Sequence, residues 1–169
     1  HGMVRCPNHM KIEPSPLTSP PTNDEIAAAR TLVRLNRHLA HALAKVDLTE
    51  AQYRVLALLA EGDDGASGIA GQMALTKPSI TALVDGLEDR GLVERHPHPS
   101  DRRRRTLSIT ADGLAQLALA DEAGTGCLRA IAEHTDDAES PIAGLAAWDR
   151  AIRSYRRAKR DARHSRAEQ

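Results

Sequence analysis

Phenylalanine is missing from this chain altogether, and with one tryptophan and two tyrosines in 169 residues, aromatic side chains make up only 2%. Any core has to be assembled from Leu, Ile, Val and Ala. That suits helices, because Ala and Leu are among the strongest helix formers and their faces pack closely. Cysteine is scarce as well: Cys6 and Cys127 do not form a metal-spaced pair, and a reducing cytosolic setting is the expectation. No apolar run approaches the roughly 20 residues of a membrane span. No charged-then-apolar leader is visible either, so a cytoplasmic location without a membrane partner is expected. An excess of charge of either sign is also absent, 23 Lys and Arg balancing 23 Asp and Glu. Neutrality argues against a nonspecific coat for nucleic acid. It leaves room for a local basic surface, which the distribution of charge decides. Gly-rich phosphate loops, a Ser or Cys nucleophile elbow, HExxH and CxxC spacings are all missing, so neither an enzyme nor a cofactor is expected.

What is present falls into ordered blocks, within the usual size of one domain. Residues 1–21 carry Pro7, Pro14, Pro16, Pro20 and Pro21 without apolar periodicity and read as a flexible tail. Thr22 or Asn23 can then cap a helix to about Lys45, with Asp24 and Glu25 favourable beside its positive end. Ile26, Ala29, Val33, Asn36, Ala40 and Leu43 recur along it at helical spacing. Thr49-Glu50-Ala51-Gln52 is a capping box opening a helix with Val55, Leu56 and Leu59 inward. Ser67 can cap a short helix from Gly68 to Met73, and Leu75 sits in a tight connection. Thr76 caps the next helix, whose first turn tolerates Pro78 because the missing N–H has no partner there. Ile80, Leu83, Val84 and Leu87 form its buried stripe, and Gly91 stands where a left-handed stop belongs. Leu92–Arg95 and Thr106–Ile109 suit two short antiparallel strands, the intervening HPHPSDRRRR being expected as a protruding loop. Thr110 caps a long helix, interrupted at Gly124 and Gly126, to about His134. Ser140-Pro141 opens a last helix through Trp148, Ile152 and Tyr155 that trails into a basic tail over 159–169.

Short helix, tight turn, helix, strand, basic loop, strand is the order of a winged helix-turn-helix, in a mainly α chain with a small two-stranded β wing. Each part has a physical reason in reading DNA. A helix fits the major groove, and its first two turns reach base edges. The preceding helix lays its amino end against a phosphate, which places Ser67 near the backbone. An arginine-rich loop suits the narrow, electronegative minor groove. The recognition helix offers Thr76, Lys77, Pro78, Ser79, Thr81, Ala82 and Asp85 away from its apolar stripe, small and polar enough for the backbone to approach bases. The wing supplies Arg102, Arg103, Arg104 and Arg105, with Arg90 and Arg95 nearby.

Three stretches make the pattern specific. LTEAQYRVLALLA (48–60), MALTKPSITALVDGLEDRGLVER (73–95) and PSDRRRRTLSITADG (99–113) resemble, in order and separation, the second helix, the turn with recognition helix and first strand, and the wing signature of the MarR family of bacterial regulators. The likeness holds for element order over about 24–158 and at residue level from 48 to 113. It implies that Arg103 reaches into the minor groove, oriented by a bidentate pair with Asp101, while Arg102 binds a phosphate or shares the groove. Pro78 and Ser79 fall where family members touch base edges. Ala82 departs from the pattern, standing where many relatives carry a long polar side chain. Readout then rests more on Lys77, Thr81 and contact with thymine methyls.

One wing and one helix read few base pairs, so a homodimer on a palindromic double-stranded operator is expected. The resemblance assigns dimerisation to helices at 22–46 and 110–158, flanking a DNA-binding domain at 47–109, with Ile26, Val33, Ile142, Leu145, Trp148 and Ile152 as interface candidates. Packing within one chain is the alternative for some of them. It also implies a small aromatic or phenolic ligand that releases a repressor, with Arg34, His38, His41 and Tyr53 able to line its cleft. Interhelical or surface hydrogen bonding is the alternative there, and some relatives activate rather than repress. Oxidant sensing through Cys6 lacks an assured basic neighbour, and zinc sensing through His38 and His41 lacks a third ligand. A winged helix used only to bind protein is the rival class. It predicts neither the concentrated arginines nor helices at both ends.

Overall fold

A computed structural model of the chain describes residues 20–62, 66–73, 76–98, 101–135 and 141–167. The chain divides into two compact units, residues 1–125 and 126–169.

In the first unit, α1 (Asn23–Ala44) begins at Thr22, whose hydroxyl accepts from the Glu25 amide (3.2 Å) while the Glu25 carboxylate accepts from the Thr22 amide (2.7 Å). Only the end of α1 is buried, at Ala42 and Leu43. The chain then turns through Asp47, held in the left-handed region at φ 54°, which a short polar residue tolerates better than most. Thr49 and Gln52 form the expected capping box of α2 (Glu50–Ala60), and Val55, Leu56 and Leu59 face inward as expected. α3 (Ala66–Met73) contributes Ile69 and Met73 to the core. Its start differs from the expectation. Ser67 lies inside the helix rather than capping it, since Ala66 already favours helical conformation.

Thr76 caps α4 (Lys77–Glu88) by accepting from the Ser79 amide. Ile80, Val84 and Leu87 are buried beneath it. Gly91, at φ 70°, ends it as expected: its amide reaches the Glu88 carbonyl (2.8 Å) and the Leu92 amide reaches Leu87 (3.0 Å). β1 (Val93–His98) and β2 (Asp101–Ile109) pair antiparallel from Val93↔Ile109 through Pro97↔Arg105, with a register shift between Pro97 and His98. The expected loop at HPHPSDRRRR is therefore mostly strand. Ladder hydrogen bonds come from the backbone whatever the side chains. In a two-stranded ribbon both outer edges are open, so Pro97 can sit without a donor beside an irregular register.

α5 (Ala111–Ala132) runs without interruption through Gly124 and Gly126. Gly124 is buried, and a methyl there would meet the Leu39 side chain at 3.2 Å, so its smallness lets α1 and α5 approach. The second unit holds the remainder of α5 and α6 (Pro141–Ala167). α6 does not give way to a tail near residue 158. Beyond Gly144 it has no Gly or Pro, and the Arg and Lys toward its end suit the negative helix terminus. The expected tail over 1–21 falls almost wholly outside the described residues, as do Leu75 and the linker before Pro141.

Candidate nucleic-acid interface

α4 separates two kinds of residue around its circumference. Its apolar stripe is sealed against the core, leaving Pro78, Ser79, Thr81 and Ala82 exposed on the opposite side. Thr76 and Ser79 share a hydroxyl hydrogen bond of 2.8 Å at the helix start. All of these are short side chains, so a flat surface can come close to the helix backbone. The side chains of Ser67, Lys77, Asp101, Arg102, Arg103 and Arg104 lie outside the described set; their backbones belong to α3, α4 and β2.

Two residues expected at the DNA face, Asp85 and Arg95, contact each other. The Arg95 guanidinium on β1 bonds the Asp85 carboxylate through Nη2, and its Nη1 lies 3.0 Å from Glu88 Oε2. Arg90 is also occupied, donating to the Asp47 carbonyl at 2.8 Å and so tying the end of α4 to the turn after α1. Arg105 is exposed. On the outer part of the hairpin, His96 Nε2 lies 2.8 Å from Ser108 Oγ and 3.6 Å from a Glu94 carboxylate oxygen. Between α4 and the hairpin lies a groove of about 490 Å³, lined by Ile80, Thr81, Val84 and Leu107 and by Glu88, Arg95 and Arg105.

The hairpin's root is clamped by the start of α5. Thr110 Oγ1 donates to the Gly91 carbonyl (2.7 Å) and accepts from the Gly113 amide (2.9 Å), and the Thr110 amide donates to Leu92 O (3.2 Å). Gly113 packs so tightly there that a Cβ on it would sit 2.1 Å from the Leu92 carbonyl oxygen. The Thr-x-x-Gly spacing at 110–113 was the only sequence signal of this clamp, and it carried no hint of which carbonyls it grips.

The four residues expected to line a ligand cleft lie on α1 and α2. Arg34, His38 and His41 are exposed on α1, with Arg34 donating to the Thr31 hydroxyl at 3.0 Å. Tyr53 donates its hydroxyl to Asp121 on α5 at 2.7 Å. Burial first, and then the hydrogen bond and charge of Asp121, push the Tyr53 phenol up to about 12. Of the interface candidates, Ile26, Val33, Ile142, Trp148 and Ile152 are exposed and Leu145 is half-buried. Leu32 on α1 and Tyr155 on α6, not among those candidates, are also exposed. Cys6 lies outside the described residues. Among the described residues no three His, Cys, Asp or Glu side chains converge as metal ligands, and no helix is long and apolar enough to cross a membrane.

A helix of small residues held beside a two-stranded hairpin, with a second helix bracing it, defines a winged helix-turn-helix. Residues 46–104 match the MarR family, and the chain belongs to that family of winged helix-turn-helix transcriptional regulators. It is similar to the HTH-type transcriptional repressor YetL of Bacillus subtilis (strain 168), with 32% identity over 87 residues, 50% of this chain and 52% of YetL. The chain spans about half the length of the curated relatives it matches. Among solved structures it is similar to the transcriptional repressor CouR bound to a 23-mer DNA duplex, at 30% identity and a TM-score of 0.65, over 78% of this chain and 92% of CouR. CouR from Rhodococcus jostii RHA1 bound to p-coumaroyl-CoA aligns at 27% identity and a TM-score of 0.61, over 77% of this chain and 91% of that one.

Proposed function

We propose that this chain works as a homodimeric, sequence-specific repressor of transcription in the cytoplasm, reading a palindromic operator and released by a small aromatic ligand. The observation that carries the reading is α4: a buried apolar stripe on one side and exposed Pro78, Ser79, Thr81 and Ala82 on the other, next to a hairpin whose strand runs through four consecutive arginines. Small side chains let the helix enter a major groove. Arg103, oriented by Asp101, enters the adjacent minor groove, while Ser67, Lys77, Arg102 and Arg104 contact phosphates.

Dimerisation through residues 22–46 and 110–158 is supported by large apolar side chains left in water on both. Val33 is 72% and Trp148 64% exposed, with Ile26, Ile142 and Ile152 also open, a load that single soluble chains rarely carry unpartnered. Residues 47–109 are then the DNA reader. A ligand with an aromatic ring and an anionic group is supported by the p-coumaroyl-CoA held by CouR and by the exposed cationic and imidazole side chains Arg34, His38 and His41. Tyr53 contributes its ring, since its hydroxyl is committed to Asp121. Repression follows from occupancy, because a dimer covering a promoter blocks polymerase.

A gel shift on the DNA upstream of the coding sequence, over a range of salt, tests the reading. Affinity should fall with a log–log slope of about 0.9 for each phosphate neutralised, and Arg103→Ala should weaken binding strongly while leaving the dimer intact. A monomer, or a protein with no preference over bulk competitor DNA, would refute it.

A further inference from the structure

We infer that Arg95 is a positioning residue that locks the recognition helix to the hairpin by gripping Asp85 and Glu88, and that it does not itself touch DNA. This rests on the DNA-reading proposal above and specifies how the same site is held in shape.

Asp85 and Glu88 are three residues apart and therefore neighbours on one side of α4, near its carboxyl end. Arg95 rises from β1, where it pairs in register with Leu107, and spends one arm of its fork on each carboxylate. Charge decides against a phosphate contact. One guanidinium between two carboxylates leaves the trio at a net negative charge, so no positive charge is spare for the DNA backbone.

Geometry explains why such a brace is needed. Apart from Thr81, the floor between helix and hairpin is Ile80, Val84 and Leu107, whose contacts are non-directional. The Gly91 and Leu92 amides fix the chain only at the turn itself, so Arg95 adds a side-chain tie further along the strand. Pro78 lies seven residues before Asp85, about 10 Å along the helix axis. A tilt of about 10° at the brace therefore moves the base-reading end by about 2 Å, far more than hydrogen bonds to base edges accept. The planar, two-armed guanidinium sets that angle in a way a single-point ammonium does not.

The test uses the full chain. A duplex is selected from a random pool by the wild-type protein, and its affinity is measured across salt for Arg95→Ala, Asp85→Ala, the double variant and Arg105→Ala. Thermal midpoints confirm that each is folded, as expected for side chains 30% and 49% exposed. A brace predicts that Arg95→Ala and Asp85→Ala each weaken binding by roughly tenfold, and that the double variant is no weaker than the worse single. It also predicts that the salt slope of Arg95→Ala equals that of wild type, whereas Arg105→Ala flattens it by about 1 if that exposed arginine neutralises a phosphate. The inference is overturned if Arg95→Ala flattens the slope by about 0.9 while Asp85→Ala tightens binding. Failure of the pool to yield any enriched duplex would instead overturn the DNA-reading proposal, and the brace with it.

Discussion

Gly113→Ala isolates the clamp at the root of the wing. The added Cβ would lie 2.1 Å from Leu92 O, 2.8 Å from Ile109 Cγ1 and 3.1 Å from Leu92 C. Ordinary carbon–oxygen contacts are about 3.3 Å or longer, so the overlap exceeds 1 Å. The obstacle is backbone, and it is tethered. Leu92 O accepts from the Thr110 amide, and Leu92 and Val93 are buried in the core. Relief requires α5 to lift from the turn, at an overpacking cost of about 1–3 kcal/mol. The Thr110 bonds to Gly91 and Leu92 are then lost at about 1 kcal/mol each. Alanine's helical preference returns about 1 kcal/mol, which leaves a net loss of about 2–4 kcal/mol. For a chain of this size that lowers the thermal midpoint by roughly 4–16 °C. Gly126→Ala in the same helix is the control: nothing lies within 4 Å of its Cβ, so it should raise the midpoint by about 2–4 °C. Circular dichroism melts at equal protomer concentration make the comparison. A Gly113→Ala protein that melts at or above the wild-type temperature would refute the argument.

Tyr53 provides a second check. Its phenol is raised from 10.0 to about 12 in the folded chain, so the stability it contributes is complete below pH 10 and is lost as pH rises toward 12. Tyr53→Phe should flatten that alkaline loss, and Asp121→Asn should lower the tyrosinate midpoint seen in ultraviolet titration; an unshifted midpoint would break the Asp121 link. Trp148 is the chain's only tryptophan, so its emission should shift blue as the protein is concentrated into dimers. Trp148→Ala should weaken dimerisation by roughly 30-fold in sedimentation, about the cost of a hot-spot residue, and an unchanged dimer would move the interface elsewhere. Thr49→Ala removes the hydroxyl that accepts the Gln52 amide at 3.2 Å and should cost about 1 kcal/mol in a denaturant melt. No loss there would mean that water replaces the cap at no expense.

Legibility from sequence followed the range of the interaction. The caps at Thr22, Thr49 and Thr76, the stripe Ile80–Val84–Leu87 and the stop at Gly91 were all readable, because each rests on contacts three to five residues away. Strand extent was misjudged for a related reason. The residues at 96–98 and 101–105 are individually poor strand formers, and only the pairing of the two backbones makes strands of them. Glycines in α5 looked like breaks because their local propensity is low; at Gly124 the approach of Leu39 gives that smallness a use.

Order and type of the elements, and with them the class of molecule, were therefore written in the residues, since helical period, capping chemistry and turn preference are properties of short segments. What the fold alone decided is which charges and hydroxyls are already taken. Arg95 lies within reach of Asp85 and Glu88, and the Tyr53 hydroxyl donates to Asp121, 68 residues away. The reason is physical: a polar group's partner is whichever one the packed chain brings to within about 3 Å, and no pattern of spacing along the sequence encodes that distance.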